Sequence, residues 1–184
     1  YELSFGVESV NEIIRNELIN KNFTDKEIET AVRLCYKNNI LPDFYLMLGF
    51  PDEGKKEIED TVNFGLKLNP PPNMIGIHLT IPLPGSLIYE QAIKEKIIPA
   101  DVIDRFIAGE YGDRFNECWP VYVNKMVTLD YLRQAQARGY RKYYWRPRYL
   151  FQRLIIDWKT PWRLKQDFQK GLELLKMKRA RYAE

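Results

Sequence analysis

A carboxylate at the end of one strand, a lone imidazole on another and a glycine turn between them are the groups with which this chain could do chemistry. Glu8 closes an alternating run in which Leu3, Phe5 and Val7 point one way and Ser4, Gly6 and Glu8 the other. The second set is small and polar, which suits the wall of a binding site. Glu8 would equally serve to stabilise the next helix, because a carboxylate is favourable at a helix N-terminus. His78 is the one histidine of the chain. It shares a strand face with Gly76 and Thr80, opposite Ile75, Ile77, Leu79 and Ile81. A histidine so placed is either a structural hydrogen-bonder or, beside Gly76 and Thr80, part of a site. Gly49 ends the apolar stretch from Phe44 to Phe50 and leads through Pro51 into a helical pattern. Strand, glycine turn and helix in that order are where an α/β fold presents backbone groups to a ligand.

The two cysteines bound the chemistry from another side. Cys35 falls on the apolar face of a helix and reads as a small buried hydrophobe. Cys118 lies in the loop-like stretch GEYGDRFNECW, as an ordinary thiol or a catalytic one. Two distant cysteines are too few for a disulfide scaffold, a zinc site or an iron–sulfur site within this chain.

The elements that must position these groups alternate. The pattern predicts a short helix over 11–19 with Ile13, Ile14 and Leu18 inward. A second helix begins at Thr24 with a capping box to Glu27 and buries Ile28, Ala31, Val32 and Cys35. Pro42 leads into the apolar strand, whose unbroken run predicts burial on both faces. A helix over 54–69 follows with Ile58, Val62 and Leu66 inward, stopped by Pro70, Pro71 and Pro72. The strand carrying His78 spans 74–81, and Ser86 caps the next helix. Strand–helix units in series predict an α/β fold, a parallel-stranded partial (β/α) barrel of about three units over 1–97. Three units cannot close a barrel, so strand edges and an inner face stay uncovered. Pairing with a missing N-terminal half, or self-association of two half-barrels, is the expected remedy.

Residues 98–184 read as a mostly helical C-terminal extension, with helices near 101–108 and from Thr128 to about Arg141. Residues 138–153 hold six basic residues and no acidic one, with Tyr, Trp and Phe between them. Such a segment packs Arg stems on rings, holds an anionic ligand, or grips RNA by phosphate neutralisation and stacking. This last reading is the alternative function: a non-catalytic polyanion-binding module. Packing is preferred, so nucleic acid is not the expected partner. A last helix from Thr160 and Pro161 would present Leu164, Phe168, Gly171, Leu172 and Leu175 before a tail with Lys176, Lys178, Arg179 and Arg181.

Composition sets the frame. The chain has 184 residues, 45% hydrophobic and 29% charged, which supports a packed core. The net charge of +3 favours no partner class. An apolar run long enough for a membrane span is absent, and the expected setting is cytoplasmic. The chain opens at Tyr1, without an initiator Met, inside a strand, so a piece of a longer protein is expected.

Four stretches together resemble the second half of the barrel of the radical SAM superfamily, in its cobalamin-dependent type. They are Phe5-Gly6-Val7-Glu8-Ser9, Asn20-Lys21 with the Thr24 cap, Met47 to Glu53, and Thr80 to Ser86. Tyr140 to Pro147 is similar to a segment of the family's C-terminal extension. The resemblance implies a parent enzyme that binds S-adenosylmethionine and cleaves it reductively, to start radical chemistry on a small-molecule substrate. It implies that Glu8 contacts the ribose and amino-acid end of that ligand and that Lys21 pairs with its carboxylate. Met47 would pack on the adenine, and Gly49 would let the strand approach without a Cβ. His78 and Thr80 complete the expected cofactor-binding set. The family's CxxxCxxC, which binds a 4Fe-4S cluster, is absent from this chain, as is any cobalamin-binding domain. The chain alone is therefore expected to be inactive, and use of cobalamin stays open.

Overall fold

The computed structural model describes residues 1–110 and 124–157. Cys118, the helix expected from Thr160 and the basic tail lie outside the described residues. Strands β1 (Glu2–Glu8), β2 (Leu41–Leu48) and β3 (Ile75–Leu79) form one parallel sheet in the order β1-β2-β3. A π-helical turn, Ile14–Leu18, and helix α1 (Asp25–Lys37) link β1 to β2; α2 (Lys55–Lys67) links β2 to β3. Then follow α3 (Leu87–Lys94), α4 (Val102–Ile107), α5 (Leu129–Tyr144) and α6 (Pro147–Asp157). The fold is thus α/β with a parallel sheet and a C-terminal helical region. No helix among the described residues is long and apolar enough to cross a membrane.

Local chemistry sets the helix starts. Thr24 accepts from Glu27 N, and Glu27 returns a bond to Thr24 N, the reciprocal box expected from the sequence. Ser86 and Thr128 cap α3 and α5 in the same way, accepting from Tyr89 N and Tyr131 N.

The core lies on one face of the sheet only. Phe44, Leu46 and Leu48 of β2 and Ile77 of β3 are wholly buried there beneath Val32 of α1, Ile58 and Val62 of α2, and Leu132 and Ala135 of α5. Each such side chain contributes about 1.5–3 kcal/mol by leaving water. The opposite face is open: Tyr45 is 40% exposed, Met47 half-buried and His78 exposed. The expectation that β2 is covered on both faces is therefore corrected. An apolar run has the same appearance whether its second face meets helices or a ligand-lined hollow.

The basic-aromatic segment is largely packing. Tyr143 is buried and donates to Pro71 O, while Met74 N donates to Tyr143 Oη at 3.2 Å. Tyr140 Oη accepts from Ile77 N at 2.9 Å, and Tyr149 is buried against Tyr143. Arg138 pairs with Glu59, and Arg146 lies over the Tyr143 ring and donates to Pro70 O at 3.0 Å. The tyrosine rings that base stacking would need are turned onto β3 and its approach loop. Gly139 makes that contact close, since a Cβ there would stand 2.7 Å from Ile77 Cδ1.

Candidate functional site

Parallel pairing puts the carboxyl ends of all three strands at one end of the sheet. Register then decides which side chains share the open face. Gly6 pairs with Tyr45 and Tyr45 with Gly76, while Met47 pairs with His78. Residues paired across a sheet lie on one face, so these residues line a single surface.

At its β1 margin the surface carries an ion pair. Lys21 Nζ lies 3.3 Å from Glu8 Oε1, with side-chain exposures of 38% and 14%. The strand is irregular between Gly6 and Glu8, and Glu8 has φ +60. Positive φ is uncommon outside glycine and concentrates where structure around the residue holds it. Gly6 makes room for the pair: a Cβ there would stand 2.4 Å from Glu8 Oε1 and 3.0 Å from Lys21 Nζ. Lys21 sits between Asn20 and Asn22, both in left-handed backbone at φ +57 and +52. Sequence reasoning expected Glu8 and Lys21 in one site, and the fold brings them into contact.

Met47 occupies the middle of the face. His78 forms its far margin, stacked on Tyr45 with ring centroids 5.9 Å apart and planes at 17°. Both rings lie over Gly76, where a Cβ would meet His78 Nε2 at 2.6 Å. Thr80, one residue past β3, is 3% exposed, and its hydroxyl is buried without a hydrogen-bond partner. A buried hydroxyl in that state is uncommon and is satisfied when a ligand or water reaches it.

Gly49 lies just past the end of β2, against α5. It has φ +94, and a Cβ would stand 2.7 Å from Leu132 Cδ1 of the core. Its missing side chain thus makes room for α5. Its N–H donates to Glu53 Oε2 at 2.7 Å.

Glu53, Ser9, Arg15 and Asn124 were not singled out from the sequence, yet they knit the carboxyl ends together. Glu53 is fully buried and accepts from Gly49 N, from Phe50 N at 3.3 Å and from Ser9 Oγ at 3.2 Å. Burial pushes its carboxyl up to about 7, against those hydrogen bonds, with the Glu57 carboxylate adding to the rise. Asn124 donates to Phe50 O and Glu53 O, at 2.6 and 2.7 Å, holding the same turn from outside. Ser9, immediately after Glu8, is also buried. A polar belt therefore ties the exit of β1 to the exit of β2. The sequence signal for it was slight: acidic residues beside Gly-Phe-Pro.

Among the described residues no group of three or more His, Cys, Asp or Glu side chains could hold a metal ion. Cys35 is a buried free thiol. The described residues thus do not fit a 4Fe-4S cluster.

No protein-family model matches the chain. Over 148 residues it is 26% identical to a protein of Pyrococcus horikoshii named as an uncharacterized methyltransferase. That match covers 80% of this chain and 30% of the relative, so the chain spans under a third of that relative's length.

Proposed function

We propose that this chain holds S-adenosylmethionine on its open sheet face, as the ligand-binding part of a longer radical SAM enzyme. The observation that carries the reading is the Glu8–Lys21 pair beside Met47. The methionyl end of S-adenosylmethionine is a zwitterion. Its carboxylate takes the Lys21 ammonium and its ammonium takes the Glu8 carboxylate, so each charge of the pair exchanges one partner for another. Binding then leaves neither charge of the amino-acid group unpaired, which limits the desolvation cost at that end of the ligand; the sulfonium charge takes no part in this exchange. Met47 offers a polarisable thioether to the adenine. The buried Thr80 hydroxyl gains a partner if the nucleoside reaches the end of β3. The similarity to a protein named as a methyltransferase supports a link to this ligand. The reduced cluster that such a reaction needs would be held outside the described residues, so the part proposed for this chain is binding and orientation.

Lys21→Ala tests the reading. In calorimetric titrations of the chain, the substitution weakens S-adenosylmethionine by about tenfold, the scale of one charge-assisted hydrogen bond. Methylthioadenosine, which lacks the amino-acid group, loses less than about twofold, since it never meets the ammonium. Equal losses for both ligands, or none for either, would remove the anchor assignment.

A further inference from the structure

We infer that Arg15 is a positioning residue for the amino-acid end of that ligand, because it locks together the two backbones that carry Glu8 and Lys21. The inference rests on the reading of the open face given above. Arg15 is 0% exposed, although it is a cation in a short π-helical turn. A buried guanidinium persists only if its donors are satisfied and its charge is countered. Here Nη1 donates to Ser9 O at 3.0 Å and to Asp25 Oδ1 at 2.8 Å. Nε donates to Phe23 O at 3.0 Å, and Nη2 to Glu12 Oε1 at 3.3 Å. The guanidinium also lies over the Phe23 ring, 5.0 Å from its centroid. Its own carbonyl accepts from Lys21 N at 3.0 Å.

These partners are not scattered. Ser9 follows Glu8, and Phe23 stands two residues past Lys21. Asp25 opens α1, so the loop is fixed to the helix that follows it. The loop has left-handed backbone on both sides of Lys21, and Phe23 N donates to Asn16 Oδ1 at 3.2 Å. Arg15 adds the constraint that joins this loop to the exit of β1 from behind and, being enclosed, does not touch the open face. A planar fork reaching two carbonyls and two carboxylates at once is a task for Arg rather than Lys. π-Helical turns recur at functional sites, and this one presents the fork inward.

The test uses the 184-residue chain and the same two probes. Arg15→Lys keeps the charge but loses the fork. It weakens S-adenosylmethionine by about tenfold and leaves methylthioadenosine within about twofold. In the double variant Arg15→Lys/Lys21→Ala, affinity falls no further than in Lys21→Ala alone, because the brace acts through the lysine. Amide hydrogen exchange gives a ligand-free readout: Lys21 and Phe23 exchange faster, while Leu46 and Ile77 keep wild-type protection. Equal loss for both ligands, additive losses in the double variant, or unchanged exchange at Lys21 would overturn the inference. If Arg15→Lys does not fold, Asp25→Asn, which keeps an acceptor oxygen but removes the countercharge, weakens S-adenosylmethionine alone by about threefold; no selective loss there would overturn it equally. Failure of the parent reading appears as Lys21→Ala without effect. Failure of this one appears as Lys21→Ala with its effect and Arg15→Lys without.

Discussion

Replacing Glu53 by glutamine makes the chain more stable at about pH 8 and flattens its stability between about pH 5 and pH 8. Glu53 is fully buried, and burial pushes its carboxyl from an ordinary 4.5 to about 7. In that window the folded chain binds a proton that the unfolded chain has already released. Stability therefore falls as pH rises from about 4.5 through about 7, by about 3 kcal/mol once the group is charged. Glutamine never meets that cost. Its amide oxygen accepts from Gly49 N and Phe50 N as the carboxylate does, and its NH2 takes the place of Oε1 beside Ser9 Oγ, to which it donates. Urea unfolding of both proteins at pH 5.5 and pH 8 checks this, with the lead of the glutamine variant growing by about 2 kcal/mol from the lower pH to the higher. Parallel profiles would show that Glu53 is not proton-linked. Glu53→Ala behaves oppositely, costing about 2–4 kcal/mol at either pH, because it strands two buried N–H groups and a hydroxyl.

Gly49→Ala destabilises by about 3 kcal/mol, and the loss has two separable parts. One is conformational: φ +94 is a region that a side chain rarely adopts. The other is steric, since the new methyl would stand 2.7 and 3.2 Å from the two terminal carbons of Leu132, a residue 1% exposed in the core. In the Leu132→Ala background the steric part disappears, so the double variant is less unstable than additivity predicts, by about 1 kcal/mol. Strict additivity would mean that Leu132 yields without cost. A loss of S-adenosylmethionine affinity with no loss of stability would restore the expectation that Gly49 clears a path for the ligand.

These two residues show where sequence reading reached and where it stopped. Strand order, parallel pairing and the caps at Thr24, Ser86 and Thr128 were legible, because hydrophobic period and capping chemistry are local. That Glu8 and Lys21 share one site was expected only through the family resemblance, and their direct contact was not foreseen, because twelve residues with a π-helical turn among them lie between the two. Ile13 was expected inward and is 66% exposed, because the π-helical turn that follows shifts the helical phase. Gly49 was read as letting the strand approach a ligand without a Cβ; that Leu132 of α5, far along the chain, also needs that space was not legible. Glu53 entered the sequence reading only as the end of the Met47 to Glu53 stretch, and Arg15 not at all. Gly49 N, Phe50 N, Ser9 O and Phe23 O, which hold them, are backbone groups without a residue-specific signal. The tyrosines of 138–153 resemble a stacking platform in sequence for the same reason that they pack well: a ring with a polar tip suits either place.

The most direct test of the open face as the ligand surface is a titration of the chain with S-adenosylmethionine, followed through ¹³C-labelled methionine methyl groups. Met47 is half-buried on that face, whereas Met126 is 63% exposed elsewhere. Binding on the open face shifts the Met47 methyl in a saturable way, a shift that methylthioadenosine, which carries the same adenine, reproduces, and leaves Met126 in place. A Met47 resonance that stays fixed while the ligand binds would contradict it.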